Sequence, residues 1–272
     1  MMDFAKLSKI EGSQARAQAL YEGIFTDEDG RLRMGTGLKL EALTTLHVLF
    51  EELAPSSRVL DLGCGTGVYA LPLAEAGHEV VAVDLVPAHI EQVKRKITPC
   101  LRLEAICQDA QAALDGMTDN SFDAVLCLGP MYHLRTEQER LKLLAGCRRV
   151  LGPGGRVFIA FINNDWVIAT QTLRYDGGKY MTEGNYDQDT FRVDDFPFVF
   201  HTLVQAEAET TKAGLRILRR VNSDGLSEML EDKFTAFTPD EYARWLRYHL
   251  YLCEKPEHLG ACNHWLFVCE GE

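Results

Sequence analysis

The sequence predicts an α/β fold built on a mostly parallel sheet, because two kinds of segment alternate along it. Short apolar runs of strand length lie at residues 58–62, 79–84, 102–107, 122–128 and 156–162. Segments with helical character separate them, at residues 67–76, 87–97, 109–114 and 136–151. Strands that are apolar throughout are typical of a parallel sheet whose two faces are both covered by helices.

Two helical patterns precede the first strand, at residues 13–25 and 38–53. In the first, Ala17, Leu20, Tyr21 and Ile24 share one face at the spacing of an α-helix. We therefore expect residues 1–54 to form an N-terminal helical lid over a core of residues 55–272.

The alternation stops after residue 162. Residues 163 to about 200 are polar and aromatic without a clear period, which predicts an inserted lid or substrate-binding segment. Regular patterns return with a run at 199–204 and then a helix, a strand, a helix and a strand at residues 205–213, 215–222, 238–252 and 264–270. We expect seven strands, the last two forming a hairpin-like edge.

Composition narrows the function classes. The formal net charge of −12 disfavours nucleic acid as a partner, because affinity for a polyanion depends on clustered Lys and Arg. No uncharged apolar run approaches 18 residues, so we expect no membrane span. The eight cysteines are scattered and form no CxxC pair, which predicts a reduced, cytoplasmic protein without structural zinc. A thiol-bound arsenic or metal site remains an alternative.

The stretch "VLDLGCGTG" at residues 59–67 carries the first functional signal. Gly63, Gly65 and Gly67 follow a strand and open a helix, a turn in which the backbone can approach a ligand closely. A dinucleotide-binding turn needs glycine at position 68, where valine stands instead. Asp61, two residues before the first glycine, would repel a pyrophosphate and suits a ligand with an ammonium group.

Two further acids lie at strand ends. Asp84 ends the second strand, where a carboxylate can accept both ribose hydroxyls. Asp109 follows the third strand, where it can accept from an adenine amine or, alternatively, cap the next helix. An ammonium, a ribose and an adenine without phosphate describe S-adenosylmethionine.

With "VLDLGCGTG", "VVAVDL", "CQDA", "FDAVLCLGPMYHL" and "RVLGPGGRVFIAFIN", the sequence resembles the class I S-adenosylmethionine-dependent methyltransferases, closely over about residues 55–165. "LGPMYHL" is similar to the segment after strand four in bacterial small-molecule members. The resemblance implies a Rossmann-like sheet of seven strands in the order 3-2-1-4-5-7-6. The cofactor-binding positions predicted on this basis are Asp61, Gly63, Cys64, Gly65, Gly67, Asp84, Leu85, Asp109, Ala110 and Leu128. Pro72 departs from a regular first helix, which we expect to kink or to start late.

Candidates for the transfer step follow strand four. His133 is a candidate base, because imidazole titrates near neutral pH, and Tyr132 is a candidate substrate contact. His201 is a weaker candidate for the substrate site, and Tyr21 for a contact that closes over the cofactor. Packing or helix capping is the alternative role for each of them.

The sequence therefore predicts an enzyme that transfers a methyl group from S-adenosylmethionine to a small molecule at O, N or S, leaving S-adenosylhomocysteine. Two alternatives stay open: a methyltransferase of RNA or protein, and a non-catalytic module that binds the cofactor. We expect no resident metal. The acceptor and the oligomeric state are left undetermined.

Overall fold

The computed structural model describes residues 2–25, 36–182 and 184–271. Its centre is a sheet of eight strands in the described residues: β1 Arg58–Leu62, β2 Glu79–Asp84, β3 Leu103–Cys107, β4 Phe122–Cys127, β5 Leu151–Asn163, β6 Phe200–His201, β7 Leu215–Asn222 and β8 His264–Gly271. The strand order is β3-β2-β1-β4-β5-β8-β7, and β6 pairs with the end of β5. If the two-residue β6 is left out of the count, β7 and β8 become the sixth and seventh strands, and the order is the predicted 3-2-1-4-5-7-6. Strand β8 runs antiparallel to both of its neighbours.

Helices surround the sheet. In the described residues they are α1 Phe4–Leu7, α2 Ser13–Gly23, α3 Thr36–Glu52, α4 Ala70–Glu75, α5 Pro87–Lys96, α6 Ala110–Asp115, α7 Glu137–Val150, α8 Asn164–Thr170, α9 Leu203–Lys212, α10 Glu231–Thr235 and α11 Pro239–Leu252. Several begin at caps that the sequence encodes. Thr136, Thr202 and Thr238 each form a capping box with the residue three positions later.

Both faces of the sheet are covered, as the apolar strands predict. One core cluster joins Leu60 of β1 to Leu144 of α7 and Ala206 of α9. The other joins Val59 of β1 to Leu49 of α3, and also includes side chains from α4 and α5. Helix α3 is therefore a layer of the core, although the prediction placed it in a lid.

Boundaries differ from the prediction at three places. Helix α4 begins at Ala70, which agrees with a late start imposed by Pro72 in its first turn. Strand β5 begins at Leu151, earlier than predicted, because that residue already pairs with Phe122 ahead of a register shift. Of the apolar run at 199–204, only Phe200–His201 forms a strand, because Thr202 caps α9 and thereby ends the strand.

The segment at 163–200 has a small core of its own. Asn163 caps α8, which begins the segment, and Tyr186 makes an isolated bridge to Val193. Tyr180, Tyr186 and Val193 are buried together with Ile162 of β5 and Phe200 of β6. This cluster packs the segment onto the carboxyl end of β5. Within the described residues, the structure holds no helix with the length and apolar character needed to cross a bilayer.

Candidate functional site

A cavity of about 320 Å³ opens at the carboxyl edge of the sheet, above the ends of β1, β2 and β4. Gly63, Cys64 and Gly65 line it, and all three predicted glycines have positive φ, from 53° to 87°. A side chain on Gly67 would meet Leu71 and Val93 of the core at 3.1–3.2 Å. By contrast, a Cβ on Gly65 would meet nothing within 4 Å. Gly65 therefore leaves backbone open toward the cavity, whereas Gly67 is glycine for packing.

Asp84 ties the glycine turn to the second strand. Its Oδ2 accepts the backbone N–H of Gly65 at 2.8 Å, and its Oδ1 accepts that of Val86 at 2.8 Å. His89 of α5 places Nδ1 3.2 Å from the same Oδ1. The carboxylate lines the cavity while it holds the turn. Each carboxylate oxygen has two lone pairs, so these bonds leave acceptor capacity for a ligand hydroxyl.

Asp61 lies beneath the turn on β1 and is 1% exposed. Its Oδ2 has no hydrogen-bond partner. Burial, and then the charge of Asp84, raise the pKa of this carboxyl to about 7, while a backbone hydrogen bond from Ala70 opposes the rise. An unpaired buried carboxylate is costly, and the cost would be reduced by a ligand cation close to it.

Asp109 caps α6, because its Oδ1 accepts the N–H of Ala112 at 3.0 Å. Asp109 also lines the cavity, so the predicted capping role is present and the adenine role stays a prediction. Leu85, Ala110 and Leu128 line the same cavity with apolar surface. The structure thus brings these four predicted positions to one cavity.

Helix α2 covers the cavity from the N-terminal side. The hydroxyl of Tyr21 lies 3.0 Å from Nε2 of His133, and the Tyr21 ring meets the His133 and His89 rings edge-on at 5.3 and 5.4 Å. Ser13 anchors the helix, since its hydroxyl donates to Glu139 at 3.1 Å and accepts the N–H of Arg135 at 3.0 Å. Tyr21 and His133 therefore meet on one wall of the cavity.

Tyr132 and His133 follow β4 in a 3₁₀ turn and both line the cavity. Phe198 contacts both rings at 5.7 and 5.4 Å and stacks on Phe25 at 6.1 Å. The end of the inserted segment and the end of α2 thus meet over the residues that follow β4. Phe198 of the inserted segment thus packs behind Tyr132 and His133, which themselves line the cavity.

His201 does not reach the cavity. It is 2% exposed, it packs edge-on against Phe161 at 5.0 Å, and its Nε2 lies 3.3 Å from Glu209. Glu209 also accepts two bonds from Arg140, at 2.6 and 2.7 Å. Burial would raise the pKa of Glu209, but the bonds from Arg140 and His201 outweigh it and lower that pKa to about 2. The site prediction for His201 is not supported by its position, and a buried strand histidine is the role that the structure shows.

The sequence reasoning missed several cavity residues, and two of them are polar side chains close to the proposed binding positions. His89 is set behind Asp84 by the first turn of α5, and the motif "DLVPAH" after β2 is the signal that could have found it. Glu41 comes from α3, 22 positions before the first glycine, and lines the cavity without any local motif. Only the tertiary fold brings Glu41 to this place.

The strand order and the glycine turn define a class I methyltransferase fold, and comparison with known proteins agrees. Residues 59–155 match the family model described as a methyltransferase domain. The chain is 40% identical to the cypemycin N-terminal methyltransferase of a Streptomyces species over 103 residues. This aligned stretch covers 37% of this chain and 40% of that protein. It is 32% identical to the ubiquinone biosynthesis O-methyltransferase of Xanthomonas campestris pv. campestris over 114 residues. That alignment covers 40% of this chain and 44% of the relative. The chain thus spans less than half the length of either relative.

Solved structures resemble nearly the whole chain. The magnesium protoporphyrin IX methyltransferase of Synechocystis PCC 6803, with bound S-adenosylhomocysteine, superimposes with a TM-score of 0.59 at 15% identity, over 96% of this chain and 100% of that one. An S-adenosylmethionine-dependent methyltransferase of Leishmania major gives 0.58 at 13% identity, over 99% and 87%. These identities bear on the fold alone. The predicted fold and the predicted resemblance to class I methyltransferases are confirmed, and the match to the methyltransferase-domain model lies at residues 59–155.

Proposed function

We propose that this chain transfers a methyl group from S-adenosylmethionine to a small-molecule acceptor. The observation that carries the proposal is the cavity at the carboxyl edge, where the open backbone of Gly65 adjoins the carboxylate of Asp84. The residues fit the cofactor: the glycine turn leaves room, Asp84 has acceptor capacity for a ribose, and Asp61 has a buried oxygen without a donor. The methyltransferase relatives support the same reading.

In this proposal Asp84 holds the ribose, Asp109 or its neighbour Ala110 contacts the adenine, and Leu128 borders the sulfur. Gly63, Cys64, Gly65 and Asp61 surround the methionine part. Burial raises the pKa of the Cys64 thiol well above its usual range, so Cys64 contributes shape and not a nucleophile. Helix α2 acts as the lid, and Tyr21 is its contact with the site.

A bound S-adenosylmethionine would supply a methyl group carried by a positively charged sulfur. The acceptor's lone pair would form a bond to the methyl carbon from the side opposite sulfur, and the carbon–sulfur bond would break with its electron pair left on sulfur. His133 accepts the proton of an acceptor that is protonated at working pH. The hydroxyl of Tyr21 lies 3.0 Å from Nε2 of His133. When it donates there it occupies the single lone pair of that nitrogen, so an acceptor has to displace the Tyr21 hydroxyl before its proton passes to His133. Tyr132 and Phe198 exclude water from the acceptor side.

Calorimetric titration with S-adenosylmethionine, S-adenosylhomocysteine and NADH tests the cofactor. Binding of the first two without the third supports the proposal, and binding of NADH alone overturns it. Release of S-adenosylhomocysteine is then followed with a panel of hydroxyl, amine and thiol acceptors. Cofactor binding without turnover on any acceptor, including protein and RNA, would make this chain a binding module.

A further inference from the structure

A second cluster of polar side chains adjoins the cavity and takes no part in the function proposed above. Glu41 of α3, Asp224 after β7 and His264 at the start of β8 each present one ligand atom, and these atoms lie within 4.8 Å of one another. Two of the residues stand at the carboxyl edge of the sheet, beside the end of β5. The sequence shows no motif here, because the residues come from three separate elements.

Both carboxylates converge on one nitrogen. His264 Nδ1 lies 2.8 Å from Asp224 Oδ2 and 3.7 Å from Glu41 Oε2. A single proton on Nδ1 can form a hydrogen bond with Asp224 but not with Glu41 as well. Glu41 Oε2 is accordingly buried without a hydrogen-bond partner. Ligand atoms about 2.1 Å from a common ion are about 3.4 Å apart in a tetrahedral site, and the two separations of 2.8 and 3.7 Å lie on either side of that value.

The ligand atoms are also held in place from behind. Asp224 Oδ1 accepts the backbone N–H groups of Asn263 and His264, at 3.0 and 3.3 Å, which directs Oδ2 toward the imidazole. Outer hydrogen bonds of this kind orient the ligands of metal sites. The Asn263 side chain donates to Glu228, and its Oδ1 is a second buried oxygen without a donor, in a residue only 5% exposed.

The carboxyl groups of the cluster favour a cation beside them, which is either a proton on His264 or a bound ion. Glu41, Asp224 and Glu228 are three carboxyl groups close to one imidazole. Glu41 lines the 320 Å³ cavity, which provides a route of access for an ion.

We propose that Glu41, Asp224 and His264 form a binding site for one divalent transition-metal ion, with Mn²⁺ as the probe. Two carboxylate oxygens and one imidazole nitrogen suit a hard to borderline ion. Three protein ligands leave coordination positions for water or for an acceptor group at the cavity wall. Glu41 borders the cavity, whereas Asp224 and His264 do not line it. Because the ion is titrated without cofactor, the test of this site is separate from the test of the proposed methyl transfer.

The test is a titration of the full chain with Mn²⁺, followed by the loss of the free-ion electron paramagnetic resonance signal, without cofactor. Mn²⁺ avoids competition from the exposed thiols of Cys100 and Cys107, which favour softer ions. We expect one equivalent to bind, and Glu41→Gln to weaken binding by roughly tenfold or more, since it removes a ligand charge. Glu41 accepts no hydrogen bond through Oε2, so this variant should fold.

Asp224→Asn is the second variant, and Glu137→Gln, an exposed partner of Lys212, is the matched control. Weaker binding in both site variants with an unchanged control supports the site. Failure of the wild-type chain to bind Mn²⁺ would show that a proton alone holds the three groups together. Equal binding by the wild type and Glu41→Gln would place the ion elsewhere, and either result overturns the proposal.

Discussion

Asp61 offers a quantitative test of how the site is built. Its pKa of about 7 in the folded chain compares with 3.8 for an ordinary aspartate, because the carboxyl is buried and lies near Asp84. Each pH unit of difference corresponds to about 1.4 kcal/mol, so ionising Asp61 should cost the folded state about 4 kcal/mol. Since the folded pKa is raised, the cost is absent below about pH 4, grows as the pH rises, and is complete above about pH 7.

Asp61→Asn removes this ionisation without changing the shape of the side chain. We expect the free energy of unfolding of the variant, minus that of the wild type, to rise by about 1.4 kcal/mol per pH unit between about pH 4 and 7, and then to level off. Urea unfolding at half-unit intervals of pH measures it. A fixed offset from the buried amide is expected and does not affect the slope.

Asp123→Asn is the matched control, because Asp123 is exposed on the adjacent strand β4 and lacks the burial that causes the effect. Parallel stability curves for the wild type and Asp61→Asn across this range would refute the reasoning. They would mean that water or an unrecognised donor reaches Oδ2.

The remaining predictions concern the cavity. Asp84→Ala should weaken S-adenosylhomocysteine binding by about 2 kcal/mol in calorimetry, from lost charge-assisted hydrogen bonds, and unchanged affinity would remove the ribose assignment. Gly65→Val should abolish that binding in a chain that still folds. Gly67→Val should lower the melting temperature more than Gly65→Val does, since only a side chain at position 67 meets the core. A larger loss of melting temperature in Gly65→Val would contradict the geometry. His133→Ala should lower turnover with cofactor affinity nearly intact, and Tyr21→Phe should lower it less, because the ring contacts remain; full activity of His133→Ala would leave that residue a packing role.

The parallel sheet was predictable because its strands are mostly apolar, and both faces of such a strand must be covered. The strand order was implied by the resemblance to class I methyltransferases. The edges were harder to predict. Leu151 already belongs to β5, although the "LGPGG" run reads as a turn, because a pairing across from Phe122 overrides local preference. Helix α8 was missed because its cap, Asn163, follows directly on a strand without a change in composition.

The cofactor side of the site was predictable for a different reason. Gly63, Gly65 and Asp84 lie at strand ends, and the ends of parallel strands share one edge of the sheet. Glu41 could not be found in this way, since it lies on a helix and faces the cavity only through packing of α3 on the sheet. His201 could not be assigned from sequence alone, because sequence does not show that its Nε2 lies against Glu209, eight positions later.

The bond between Asp84 and the N–H of Gly65 changes how the motif should be understood. Residues 19 positions apart form one physical unit, in which the carboxylate proposed to hold the ribose also fixes the turn that faces the methionine part. Asp84→Ala therefore removes two effects together, whereas Asp84→Asn keeps one acceptor oxygen for the turn or for the ligand. If the carboxylate acts mainly by holding the turn, Asn should recover much of the affinity that Ala loses. If it acts mainly by accepting a ribose hydroxyl, Asn should resemble Ala.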